Sequence, residues 1–172
     1  MRKETERNSA SPPLLVTPLG WDVPAAWTVL PVATGSTKAS YRTEPVGNDK
    51  ESADVTVLFF GTGSRSESEP VFKEWFNDFD GNLAKEAKRE RFQTHGLEIE
   101  IVEGAGTFKQ GLGPKIGGNR RSPVQMVKKS FRMVGAAVKT QDRGTWFFRM
   151  IGPDETVQSA RGAFRSLLES SR

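Results

Sequence analysis

The most regular alternation of apolar and polar residues lies near position 100. Residues 97–103 place Leu, Ile and Ile at alternate positions, with acidic residues between them. This period of two, which holds for all but one position, predicts a strand with one buried face and one solvated face, and we assign Glu98, Glu100 and Glu103 to the solvated face. A charged sheet face is favoured over paired carboxylates for acid-base chemistry. We expect residues 104–109 to continue the strand through a bulge or bend.

The C-terminal region predicts a hairpin followed by a helix. Residues 131–141 are mostly apolar, residues 145–151 are aromatic and rich in β-formers, and an Asp-Arg-Gly turn at 142–144 joins them. A helix should begin after residues 152–155, where acidic side chains suit the helix dipole. Its apolar stripe would consist of Val157, Ala160, Phe164, Leu167 and Leu168.

An aromatic amphipathic helix is predicted near residue 70. Pro70 suits a first helical turn, and the apolar positions that follow recur with helical spacing: Val71, Phe72, Trp75, Phe76 and Phe79. The charged residues 84–91 that come next are interpreted as a helical turn or solvated connector.

Three further segments have weaker strand patterns. Residues 38–42 predict a short strand, and residues 53–61 predict a central strand covered on both faces near its end. Trp21 and Trp27 flank Pro24, which indicates an edge strand or a strand broken by a tight turn. Packing in the core or at its rim is the favoured role for both tryptophans.

These elements predict one α+β domain, an antiparallel sheet of about six strands with two main helices packed on it. The chain has 172 residues, enough to bury a core without disulfides or metals. Residues 1–18 are charged and then rich in Ser and Pro, so we expect a disordered leader before a domain at 19–170.

The amino-acid composition excludes several classes of chemistry. The chain has no Cys, which excludes disulfides, thiolate metal sites and a cysteine nucleophile, and its single His leaves little for a catalytic metal. No cofactor is expected. No apolar run fits a cleavable signal or a membrane span, so the chain as written is expected to be cytoplasmic. A net charge of +4 permits a polyanion partner without requiring one.

A Gly-rich basic loop at 111–123 is the strongest candidate for a binding site. Backbone N–H groups at Gly117 and Gly118 could cradle an anion, which Lys115, Arg120 and Arg121 would neutralise. A nucleotide-binding loop is disfavoured, because no Gly-Lys-Ser/Thr ending and no following helix are present. A flexible strand connector is the favoured interpretation, with an anion or protein contact as the alternative.

Two other functions are weighed and disfavoured. His95 could serve as the base of a hydrolase, but no nucleophile elbow of the Gly-x-Ser-x-Gly type accompanies it. Phe131 and residues 146–149 superficially match the basic-aromatic pattern of single-strand nucleic-acid binders. Nucleic acid is nevertheless an unfavoured partner, because Trp146 and Phe148 share one face and Phe147 the other, and both faces are needed for packing.

The order of elements resembles the PsbP and Mog-type fold, an α/β/α arrangement of helices on an antiparallel sheet. The motifs look closer to uncharacterised bacterial domains of that superfamily, which carry Trp-x-x-Pro-x-x-Trp, a Trp on the first helix and Trp-Phe-x-Met-x-Gly. The corresponding residues are Trp21, Pro24, Trp27, Trp75, Trp146, Phe147, Met150, Gly152 and Phe164, and the chain has one residue more than the last motif between Phe147 and Met150.

The resemblance implies a non-catalytic accessory or binding role. Related families take part in photosystem assembly or contact a small GTPase, and share no catalytic set that maps onto this chain. Members usually have a signal peptide or a lipidated Cys, so the resemblance implies an extracytoplasmic location. The expected partner is another protein, bound through the loop 111–123 and the adjoining sheet rim. A small-anion or polyanion binder is the alternative, and a hydrolase built on His95 a more distant one.

Overall fold

The fold is a mostly antiparallel sheet combined with helices, as the α+β prediction requires. A computed structural model describes residues 19–32, 35–61, 67–111 and 125–172; the expected leader lies outside them. Over these ranges there are seven strands and three helices. The strands are β1 Thr28–Leu30, β2 Thr37–Arg42, β3 Asp54–Phe59, β4 Lys88–Thr94, β5 Leu97–Gly111, β6 Gln125–Lys139 and β7 Thr145–Pro153, and the helices are α1 Ser68–Phe76, α2 Leu83–Glu86 and α3 Asp154–Glu169.

The strand order is β1-β2-β3-β7-β6-β5-β4, with antiparallel pairing throughout. The predicted hairpin is confirmed as β6 and β7, whose register runs from Lys139 opposite Thr145 to Phe131 opposite Pro153. Pairing of β3 with β7 then joins the N-terminal strands to this hairpin. The three long C-terminal strands therefore occupy the middle of the sheet.

The expected count of about six strands is one too low, because β4 was interpreted as part of a connector. The segment 84–91 instead divides between α2 and the first half of β4. Strand β4 is an edge strand, and its residues are mostly exposed and charged. An edge strand of this kind has no strict apolar alternation, because charge there prevents pairing with other chains.

A hydrophobic core lies on each face of the sheet, because successive strand residues point to opposite faces. Helix α3 covers one core through Val157, Phe164, Leu167 and Leu168. Helix α1 covers the other through Val71, Phe72, Trp75 and Phe76. The apolar stripes predicted for both helices therefore match their buried faces.

The prediction that Glu100 and Glu103 face solvent is wrong. Glu100 is 2% exposed, where the Ser68 hydroxyl donates to it at 3.3 Å and Arg89 at 3.4 Å. Glu103 is 9% exposed and accepts hydrogen bonds of 2.7 Å from Arg132 and Arg161. Helices cover both faces of β5, so these carboxylates are buried in charge-paired, hydrogen-bonded positions. Glu98 alone is exposed as expected.

The two ends of the described chain meet. Gly20 and Arg172 exchange backbone hydrogen bonds of 2.9 and 3.0 Å. The Asp49 carboxylate caps the start of α3, where it accepts hydrogen bonds from the backbone N–H of Thr156 at 3.0 Å and from its hydroxyl at 2.8 Å. In the part of the chain that the structure describes, no helix is long and apolar enough to cross a membrane.

Candidate functional site

The β5–β6 hairpin extends beyond the strands on either side of it. Pairing of β4 with β5 ends at Lys88 opposite Glu103, and pairing of β7 with β6 ends at Pro153 opposite Phe131. The two hairpin strands nevertheless stay paired as far as Gly111 opposite Gln125. Residues 107–111 and 125–130 therefore leave the body of the sheet as a two-stranded ribbon, and the segment 107–130 is called the arm from here on.

A β-bulge lies at the base of the arm. The register changes between Gly106 opposite Phe131 and Phe108 opposite Lys128, so Thr107 faces two residues of β6. One of these, Ser130, adopts a φ of 55°, a left-handed conformation uncommon outside glycine. Bulges bend a strand and increase its twist. The bulge therefore sets the direction in which the arm leaves the sheet, and the expected irregularity after Gly104 is confirmed.

The two edges of the arm differ. Along β5, the loop after α1 covers the edge: Asp80 N–H donates to the Thr107 carbonyl at 2.9 Å, and Lys109 N–H donates to the Asp78 carbonyl at 2.7 Å. Along β6, residues 125–130 lie beyond the end of β7. Within the described residues, their backbone makes no hydrogen bond to any segment other than β5. The β6 edge of the arm is open.

Charge is distributed unevenly between the arm and the rest of the chain. The arm carries six basic residues and no acidic one, whereas the remainder has nineteen basic against twenty-one acidic residues. From 104 to 141 the sequence contains no acidic residue at all. This gap is visible in the sequence, and it marks the whole hairpin rather than the loop alone. A stretch of chain whose charges have one sign raises the positive electrostatic potential around it.

The residues predicted to form the contact loop cannot be placed on this arm in detail. Lys115, Gly117, Gly118, Arg120 and Arg121 lie outside the described residues. The chain that contains them begins and ends at the paired residues Gly111 and Gln125. The loop is therefore anchored at the far end of the arm, and its role remains a prediction.

Acidic residues from the body of the protein contact the described lysines of the arm. Lys109 Nζ lies 2.9 Å from Asp80, and Lys128 Nζ lies 2.5 Å from Glu51 in the β2–β3 loop. Lys129 is exposed, and Val127 beside it is 50% exposed. The arm therefore presents an apolar side chain among lysines, two of which contact carboxylates of the neighbouring loops.

A charge network anchors the arm to the body. Arg132, next to the bulge, lies 2.7 Å from Glu103 and 2.6 Å from Asp154 at the start of α3. Burial raises the pKa of Asp154, but the hydrogen bonds from Arg132 and Gln158, with the charges of Arg132 and Arg161, hold that pKa below its ordinary value overall. The ionised form of Asp154 therefore contributes to holding the base of the arm.

His95 lies in the two-residue turn between β4 and β5, with a φ of 47°. Its Nδ1 lies 3.0 Å from the carbonyl oxygen of Ser171 and 3.1 Å from the Thr94 hydroxyl, which itself donates to the carbonyl of Glu169. Since a carbonyl can only accept, Nδ1 carries the proton. The imidazole thus joins the turn to the end of α3, and this geometry resembles a structural link more than a base beside a nucleophile.

The aromatic side chains are mainly part of the cores. Trp27 is 8% exposed, and Trp21 donates from Nε1 to the Tyr41 hydroxyl at 3.0 Å while its ring packs edge-on against Phe148. Trp146 and Phe148 belong to the core beneath α3, and Phe147 belongs to the core beneath α1. These rings provide no exposed platform for stacking bases.

A cleft of about 430 Å³ lies beside α1, with a mostly apolar lining. Two of its three charged residues already contact each other: Arg89 pairs with Glu69, and it also pairs with Glu100 and lies over the Phe76 ring. The residues that line it are Glu69, Pro70, Lys73, Phe76, Ala84 and Arg89. The cleft offers no convergent set of available polar groups to orient a ligand.

Arg149 is a second charged group on the α1 face. Its guanidinium lies 5.6 Å from the centre of the Trp75 ring. Burial lowers the pKa of Arg149, although the charges of Asp78 and Asp54 act in the opposite direction.

Across the ranges that the structure covers, no three His, Asp or Glu side chains are grouped so as to hold a metal ion.

Comparison with known proteins finds a likeness to solved structures and none to a family model or a curated protein. No protein-family model matches the chain, and no curated protein matches it. The solution structure of cyanobacterial PsbP from Synechocystis is similar over 94% of this chain and 95% of that chain, with 11% identity and a TM-score of 0.46. PsbP is one of the two fold families that the order of elements resembles, whereas the Mog-type likeness and the individual motifs remain predictions. Similarity at this level does not assign a function.

Proposed function

We propose that this protein is a non-catalytic binding module that contacts an acidic surface of another protein through its arm. The contact residues would be Lys115, Arg120 and Arg121 on the loop, with Gly117 and Gly118 giving the backbone freedom to fit the partner. Lys128 and Lys129 on the ribbon would extend the same basic surface.

The observation that carries this proposal is the coincidence of shape and charge. The arm leaves the sheet where both neighbouring strands have ended, and it carries six basic and no acidic residues. A surface of one sign attracts partners of opposite sign and accelerates their association. Among the described lysines of the arm, Lys109 and Lys128 contact acidic residues of the body and Lys129 is exposed.

A non-catalytic role is supported because the other side chains considered for catalysis already have hydrogen-bond partners within the protein. The His95 ring contacts the Ser171 carbonyl, and Glu100 and Glu103 are buried with arginine or serine partners. Groups held in this way stabilise the fold rather than act on a substrate.

A small-anion or polyanion ligand is the second candidate, favoured by the same positive charge. The two candidates differ in their dependence on partner shape. Inorganic phosphate, heparin or nucleic acid would bind any cluster of these cations, whereas an acidic protein must also fit the ribbon.

The test is capture of binding partners from a lysate of the source cell by the immobilised full chain. Three baits are compared at low and high salt: the wild type, a loop variant with Lys115, Arg120 and Arg121 changed to Ala, and a control with Lys38, Lys73 and Lys85 changed to Ala. The control residues are exposed on other surfaces and remove the same charge. Nuclease treatment of the lysate removes nucleic-acid bridges.

The proposal predicts a protein retained by wild type and control, lost by the loop variant and weakened by salt. Equal retention by all three baits would refute the assignment of the arm. Retention that disappears after nuclease treatment would favour the polyanion candidate instead.

A further inference from the structure

Among the residues that the structure describes, no strand pairs with the edge of β6 at residues 125–130 that faces away from β5, and we call it the open edge. In a strand, alternate residues direct their N–H and C=O groups to opposite edges, so one set here lacks a strand partner. The other sheet edges are protected differently: β1 has only three residues, and the first four of the seven residues of β4 are charged. No proline lies between 125 and 130. This edge can therefore pair with an added strand.

The side chains along this edge indicate what such a strand would carry. Val127 and Lys129 alternate onto one face of the ribbon, and Lys109 lies opposite Val127 on β5. Val127 is 50% exposed, so it offers apolar surface between two lysines. An added strand with apolar and acidic side chains would match this pattern.

Glu51 shows that a carboxylate binds beside this edge. Its side chain comes from the β2–β3 loop and lies 2.5 Å from Lys128 Nζ. Both side chains are partly exposed, at 52% for Glu51 and 28% for Lys128. Exposed ion pairs of this kind contribute little stability and exchange readily. A carboxylate of a partner can therefore take the place of Glu51.

We infer that the open edge of β6 in the arm binds an extended acidic segment of another protein by strand addition. This inference rests on the proposed function and specifies its mode of recognition. Backbone hydrogen bonds to residues 125–130 would provide affinity, and Lys128, Lys129 and Val127 would select an acidic strand with apolar residues. Strand addition is favoured over nucleic acid because the aromatic rings at the base of the arm, Phe108 and Phe131, stack on each other.

The test uses a fluorescent octapeptide of alternating Glu and Val, titrated with the full chain and followed by anisotropy. Two further peptides have the same sequence and charge but carry N-methyl groups on alternate backbone nitrogens. In one of these methylated twins the N–H groups along one edge of the peptide strand are blocked, and in the other those along the opposite edge. The protein variants are Glu51→Gln, a double Lys128→Ala and Lys129→Ala, and Glu90→Gln as a control. Glu90 lies on the edge strand β4 and forms a comparable exposed ion pair with Arg165 of α3.

Strand addition predicts that the parent peptide binds and that at least one methylated twin binds about tenfold more weakly. Glu51→Gln should tighten binding by removing a competing carboxylate, the double lysine variant should weaken it, and Glu90→Gln should leave it unchanged. A parent peptide that does not bind would overturn the inference. So would two methylated twins that bind as tightly as the parent; in that case lysine-dependent binding would still support a basic arm without strand addition.

A short mixed-sequence DNA duplex is the competing probe. If it binds with the same lysine dependence and displaces the peptide at lower concentration, the arm is a polyanion site and strand addition is wrong. If the capture experiment fails while the peptide binds at the β6 edge, the loop assignment fails and the edge assignment stands.

Discussion

Gly135 of β6 lies against the indole of Trp75, so closely that a Cβ at this position would be 2.7 Å from the ring atom Cζ3. The contact joins the middle of the sheet to α1. It also explains why a glycine occurs in the interior of a central strand, where it is normally unfavourable. The indole occupies the space that any other side chain would need.

Gly135→Ala should therefore destabilise the protein by about 2 kcal/mol, because either the strand or the indole must move. Thermal or urea unfolding measures the change. Gly162→Ala is the matched control: Gly162 is exposed on α3 and a Cβ there would meet nothing within 4 Å. Its replacement should stabilise α3 by roughly 0.5–1 kcal/mol. Equal effects of the two substitutions would contradict the packing of α1 on β6.

The left-handed conformation of Ser130 gives a second prediction. Ser130→Gly should increase the free energy of unfolding by up to about 1 kcal/mol, because glycine adopts this φ without a steric cost. Ser130→Val should decrease it by about 1–2 kcal/mol, since a β-branched residue resists the same conformation. Urea unfolding of both variants checks the bulge. A stabilising valine would show that Ser130 is in an ordinary extended conformation.

His95 supplies a third prediction, which separates a structural role from a hydrolytic one. Asparagine tolerates a left-handed turn, so His95→Asn should fold normally and lose about 1 kcal/mol with the hydrogen bond to Ser171. Hydrolysis of a nitrophenyl ester should be equally slow for both proteins. A rate that is well above buffer for the wild type and falls to background in the variant would support the hydrolase alternative.

The lowered pKa of Asp154 predicts a pH dependence. A carboxylate whose pKa is lower in the folded than in the unfolded state stabilises the fold above its unfolded pKa, and this contribution is lost as the pH falls through its folded pKa. Asp154→Asn should therefore cost up to about 1 kcal/mol at pH 7, a small value because the side chain is 35% exposed and screened. The difference from wild type should begin to shrink as the pH falls below about 4 and should vanish only below the lowered pKa of folded Asp154.

The control for this prediction is Asp142→Asn in the β6–β7 turn, where the carboxylate is 86% exposed. It should change stability little at either pH. An Asp154→Asn variant that matches the wild type at pH 7 would show that the Arg132–Asp154 contact does not stabilise the base of the arm.

The sequence predicts those elements whose own residues decide their structure. The predictions of strand β5 and of helices α1 and α3 are confirmed, because each of these elements buries an apolar face. The hairpin β6–β7 is predictable because apolar strands flank a short polar turn. Strand β4 is not, because an exposed edge strand buries little and Phe92 is its only aromatic anchor.

Burial of Glu100 and the course of the arm depend on tertiary structure. Alternation places Glu100 opposite the apolar face of β5, but only the packing of α1 decides that this second face is also covered. Likewise, β6 begins at Gln125 rather than near Phe131 because β5 provides a partner that far. Absence of acidic residues from 104 to 141 was the available sequence signal for the arm.

The role of the arm is decided most directly by shortening it. Because Gly111 and Gln125 are paired, residues 112–124 can be replaced by a two-residue Asn-Gly turn that closes the same ribbon. The shortened chain should unfold at the same temperature as the wild type or above it, since a shorter loop costs less entropy to close. Its capture of the salt-sensitive partner should be lost. A correctly folded short variant that retains the same partner at the same salt would contradict the proposed binding role of the loop.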